Sequence, residues 1–143
     1  MVFTLAPATE TDTSTLAGLF YQAFAKDELN QTISPPLDAE KTKARIENLT
    51  KRFVHAMKHD PSYRVVKITD EDTKQIIAFA GWNVPSTDPP VEKDEIPFAE
   101  GTNVELLKDF KEKTKIIKGK HMNTETDYCI SPFDCPMSCV IST

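Results

Sequence analysis

Glycine is scarce in this chain, with four residues at positions 18, 81, 101 and 119 and none close to another. That spacing excludes a Walker loop and a dinucleotide fingerprint, which gather backbone N–H groups around phosphate through clustered glycines. No Gly-x-Ser-x-Gly elbow occurs either. Positive charge is also short: 17 Lys and Arg against 22 Asp and Glu leave a formal net charge of −5 and a pI near 5.2. A general polyanion binder needs clustered cations, so a nucleic-acid partner is not expected. The locally basic segment 108–120 alternates its lysines with Glu112 and apolar residues, as a solvated helix face does. Long apolar runs are missing: the longest, 76–81, is far below the roughly 20 residues that cross a bilayer. Nor does the start carry a basic region followed by an apolar run, the mark of a signal or transit peptide. A soluble, cytoplasmic chain with no membrane partner is expected. Cysteine is confined to Cys129, Cys135 and Cys139, an odd number crowded into one end and unlike a secreted disulfide framework.

What the 143 residues do contain is enough for one domain with a core. The clearest stretch is 63–85. Two arms rich in Val, Ile, Phe and Trp, residues 64–68 and 75–84, flank the polar run Asp70, Glu71, Asp72 and Thr73. The arms suit a pleated, half-buried surface and the polar run suits a turn, so a β-hairpin is predicted.

Before it, residues 2–6 alternate apolar and polar and read as a short strand ended by Pro7. Thr9 and Asp12 mark a helix start, with the Thr hydroxyl placed to accept from an early backbone N–H. Leu16, Leu19, Phe20, Ala23 and Phe24 follow at i, i+3, i+4, i+7 and i+8, one core face of a helix that is expected to fail at 27–30. Pro35 and Pro36 make 32–37 a loop. Asp38 caps a second helix through about His59, with Ile46, Leu49, Phe53, Ala56 and Met57 inward and Lys41, Lys43, Glu47, Lys51 and Arg52 mostly outward. After the hairpin, Pro85, Pro89, Pro90 and Pro97 punctuate a long loop. A third helix is predicted from 102 or 103 to 118, with Val104, Leu107, Phe110 and Ile117 inward and Gly119 as its stop. From His121 onward the chain is Cys- and Pro-rich, without helical period, and offers only Tyr128, Cys129 and Ile130 as a strand start. Residues 1–120 are thus read as the domain and 121–143 as an irregular tail.

Chemistry-bearing groups are few. His121, Cys129, Cys135 and Cys139 are soft ligands, but they lack a Cys-x-x-Cys knuckle, and no metal site is assigned to them. His55 and His59, four apart on the second helix, lack the Glu of a His-Glu-x-x-His motif and read as helix-surface histidines near a C-terminal dipole. Glu71 and Asp72 belong to a solvated hairpin tip. Gly81 inside a strand marks a bulge or a close backbone approach, and Trp82 beside it either packs in the core or lines a pocket.

The order of strand, helix, proline loop, helix and hairpin resembles the N-terminal half of the GNAT superfamily of acyl-CoA N-acyltransferases, in its fungal-type members. The residues that carry the resemblance are FTLAPATETD at 3–12, residues 16–24, the strands VVKITDEDT at 65–73 and AGW at 80–82, and EGTNVELLKDF at 100–110. The resemblance implies an α+β fold, a mostly antiparallel sheet with flanking helices in three layers, and transfer of an acetyl group from acetyl-CoA to a small-molecule or protein amine. It departs where the family's fourth strand leads into a Gly-rich CoA-binding loop: DYCI at 127–130 stands there, followed by Ser-Pro-Phe-Asp-Cys-Pro. The C-terminal half of the fold and its catalytic residues therefore have no positions here, so no catalytic residue is assigned and no acetyl-CoA binding by this chain is expected. The change of composition near His121 is read as a shifted frame or retained intron. Phe24, Asp27 and Trp82 are the expected acceptor-side residues. The alternative is a non-catalytic interaction module that self-associates through the exposed edge of the hairpin.

Overall fold

The computed structural model describes residues 2–87, 96–123 and 125–128, with 139–141 as backbone. β1 (Phe3–Pro7) leads through a 3-10 turn at Glu10–Asp12 into α1 (Thr13–Phe24), α2 (Glu28–Ile33) and α3 (Ala39–His59). β2 (Tyr63–Asp70) and β3 (Gln75–Asn83) form the predicted hairpin, followed by α4 (Val104–His121) and β4 (Cys139–Ile141). The sheet order is β1-β2-β3-β4 and every pairing is antiparallel. The fold is α+β, a mainly antiparallel sheet with flanking helices. No helix among the described residues is long and apolar enough to cross a membrane.

Local chemistry accounts for most element ends. Asp38 accepts the Lys41 N–H at 2.8 Å and starts α3 as expected; Asn103 does the same for α4 through the Leu106 N–H at 3.1 Å. At the hairpin tip, Asp70 accepts the Asp72 N–H at 2.9 Å and Lys74 takes a left-handed φ of 59° to close the turn. Ile77 is the extra residue of a bulge, since Ile68 faces Ala78 while Thr69 faces Ile76.

Several expectations are corrected. The Thr9 hydroxyl donates to Asp12 Oδ2 at 2.8 Å, so the carboxylate organises the turn. Residues 28–33 form α2 because Asp27 recaps the chain, accepting the Asn30 N–H at 2.7 Å. On α1, Ala17 is buried and Ala23 is exposed. Gly119 does not stop α4, which continues to His121, and Ile117 stands 60% exposed. Tyr128 is exposed and outside any strand, while Cys139–Ile141 pairs with Ala78–Ala80. Part of the stretch read as irregular therefore extends the sheet. Cys129, Cys135 and residues 88–95 of the proline loop lie outside the described residues, as does the side chain of Cys139.

α1 and α3 lie on one face of the sheet. There Leu16, Ala17, Phe53, Tyr63, Val65 and Phe79 form the core, with Phe53 edge-on to Phe79 at 5.7 Å and to Phe20 at 6.4 Å. Asp12 and Lys67 bolt the start of α1 to β2 at 2.7 Å. The close approach predicted at Gly81 is to a ring: a Cβ there would meet Tyr63 Oη at 2.8 Å. On the other sheet face stand Phe3, 51% exposed, and Leu5, 68% exposed.

Candidate functional site

The site lies on the far side of the helical layer from the sheet. α1, α2 and α3 form its floor, and the segment 96–102 with α4 forms its roof, around a cavity of about 230 Å³. Phe20, Phe24, Leu49, Phe98, Leu107 and Phe110 give it apolar wall. These side chains cluster because α1 presents Phe20 and Phe24 one turn apart, with ring centroids 4.8 Å from each other.

Backbone carbonyls hold the roof down. Arg45 Nη1 donates to the carbonyls of Ser34 at 3.1 Å and Pro35 at 3.0 Å, and its Nη2 to that of Glu100 at 3.3 Å. Asn48 Nδ2 donates to the Pro97 carbonyl at 2.8 Å, and Arg52 Nη2 to the Ile96 carbonyl at 2.7 Å. The Asn103 N–H reaches the Ile33 carbonyl at 2.7 Å. Gly101, at φ 77°, turns the chain over the Leu37 side chain, 3.1 Å from where a Cβ would stand. Outside, Lys41 pairs with Glu100 at 2.8 Å, and that contact lifts the lysine pKa.

The electrostatics are unusual for an apolar space. Arg45 is 6% exposed, its Nε has no hydrogen-bond partner, and all its acceptors are neutral carbonyls. Arg52 donates through Nε to Asn48 Oδ1 at 3.0 Å and lies 5.1 Å from the Phe98 ring centroid. Burial pulls its pKa down from the ordinary value, the mark of a guanidinium taken out of water. Among the described residues neither arginine pairs with a carboxylate. Among the described residues Asp27 is the one carboxylate in the lining, and it is spent on capping α2.

Of the residues singled out from sequence, Phe24 and Asp27 line this cavity and Trp82 does not. Trp82 faces Arg64 across the hairpin, while its neighbour Gly81 faces Val65 on the core side, so alternation puts the indole on the opposite sheet face. The arginines were missed. Their signal was present, since Arg45, Asn48, Leu49 and Arg52 recur at i, i+3, i+4 and i+7, a second stripe beside the core stripe of α3. His55 and His59 do share a face, with ring centroids 4.7 Å apart, but no group of three potential metal ligands occurs among the described residues.

Among the described residues the lining holds no histidine or cysteine. Three of the four described helices begin at an acidic residue, Asp12, Asp27 and Asp38, which repels the anion that a helix N-terminus otherwise attracts, while α4 begins at Asn103. No family model and no curated protein matches the chain. Among solved structures, a chain described as histone acetyltransferase HPA2 and related acetyltransferase, from Corynebacterium glutamicum, is similar at a TM-score of 0.43 and 17% identity. The likeness covers 78% of this chain and 72% of that one.

Proposed function

We propose that this chain carries the acceptor-side portion of a GNAT-like N-acyltransferase domain and, by itself, has impaired activity or none. The observation that supports the reading is the topology: one strand, a helical layer, then a hairpin, joined in the antiparallel order β1-β2-β3-β4. In such a domain acyl transfer from acetyl-CoA relies on holding an amine close to the thioester and removing its proton. The cavity walled by Phe24 and Asp27 is the acceptor side, and residues 26–37 run along it. CoA is a cofactor of the intact family, and no step is assigned to it on this chain, three of whose four described helix starts are acidic.

Titration calorimetry with acetyl-CoA tests the reading. No affinity in the micromolar range is expected, and a micromolar Kd would overturn the impaired form. A second reading, a non-catalytic module, is supported by the apolar sheet face around Phe3 and Leu5 and by the short β4, which pairs with Ala78–Ala80 alone. Sedimentation separates the two: an oligomer without CoA affinity favours the module, and a monomer that binds CoA favours the enzyme.

A further inference from the structure

Three observations meet in the cavity between the helical layer and α4. Its wall is mainly aromatic and aliphatic. Two guanidiniums border it, one almost wholly buried and one partly, and both spend their hydrogen bonds on neutral oxygens. The single carboxylate among the described residues of the lining is exposed and already used as a helix cap. Arginine stays protonated at any ordinary pH, so the two charges persist, and a charge removed from water without a counter-ion is costly. An anion entering the cavity lowers that cost, while the rings take up an apolar body. A cationic ligand would meet the opposite field.

We infer that the cavity between α1–α3 and α4 binds a small carboxylate with an apolar, preferably aromatic, body, its negative charge set against Arg45 and Arg52. Size narrows the class: an engineered cavity of about 150 Å³ accepts benzene, so 230 Å³ accommodates a ring with a short acid-bearing chain. The inference goes beyond the acceptor-side reading and rests on the cavity's own charges and walls; an acceptor that satisfies both carries an acid group beside its amine.

Calorimetry on the full chain, with no acyl donor present, tests it using 3-phenylpropionate, 3-phenylpropanol and 3-phenylpropylamine. The carboxylate is expected to bind about tenfold more tightly than the alcohol, the difference a charge-assisted bond makes, and the amine weakest of the three. Arg52→Gln should abolish the preference for the acid over the alcohol, whereas Arg52→Lys should keep part of it. Equal binding of acid and alcohol, tighter binding of the amine, or no binding of the acid would overturn the inference. If neither Arg52 variant folds, the selectivity of the unaltered chain decides alone. Failure here leaves the acetyl-CoA result untouched, so the two readings fail separately.

Discussion

The two sides of the α1–α3 layer differ in how they handle polar groups. Toward the sheet, Leu16, Ala17, Phe53, Val65 and Phe79 are packed dry, and the charges at the margin are matched, Asp12 with Lys67 at 2.7 Å. Toward α4 the same layer carries Arg45 and Arg52 against neutral carbonyls around an open apolar space. The first arrangement is what a stable core requires. The second leaves charge unbalanced, and unbalanced charge beside a cavity serves recognition. Tyr63 is the exception on the sheet side, because its buried hydroxyl has no partner and burial, with Asp60 nearby, drives its pKa up.

The largest effect should come from the packed side. Phe53→Ala removes a fully buried ring that meets Phe20 and Phe79 edge-on, and denaturant unfolding should show a loss of about 3–5 kcal/mol. Asp12→Asn should cost about 2 kcal/mol at neutral pH by breaking the bolt between α1 and β2. The pH dependence has a definite sign. Burial raises the Asp12 pKa, but the bonds from Lys67 and Thr9 outweigh it and leave the value below the ordinary 3.8. The stability it contributes is present above pH 3.8 and lost as pH falls through the lowered value. Asp12→Asn should therefore flatten the acid limb of the stability profile, and an unchanged limb would remove this pair from the account.

Gly81→Ala should cost about 2 kcal/mol, because its Cβ would press on the Tyr63 hydroxyl, and about half of that in a Tyr63→Phe background. Additive changes in a double-mutant cycle would show that the two residues do not touch. The smallest effect is expected on the cavity side. Arg45→Met gives up three hydrogen bonds but also removes a buried charge, so a net loss of only about 1 kcal/mol is predicted. A loss as large as that of Phe53→Ala would mean that Arg45 belongs to the load of the core and not to a receptive site.

Features fixed by neighbouring residues were legible in sequence. The hairpin, the Asp38 cap and the extent of α3 follow from side chains within a few positions of one another, and the structure has them where local chemistry puts them. The burial of Arg45 was illegible for the opposite reason, although its stripe on α3 was there to read. An arginine in an amphipathic helix is exposed by default, and its burial depends on Glu100, 55 positions away, folding back over it. Phe24 and Asp27 were placed near a site on family likeness, and both line the cavity, while Trp82 is separated from them by the sheet. β4 was missed because three residues in a Cys- and Pro-rich stretch carry no periodicity, and pairing to β3 alone defines them.

The contrast between the two sides is tested most directly by following arginine Nε–H and aromatic signals by NMR during titration with 3-phenylpropionate. The account predicts shifts of the Arg45 and Arg52 Nε–H resonances and of Phe20, Phe24, Phe98 and Phe110, with Phe79 and Tyr63 on the sheet side unmoved. Shifts spread evenly over both sides, or unchanged arginine signals at saturation, would contradict it.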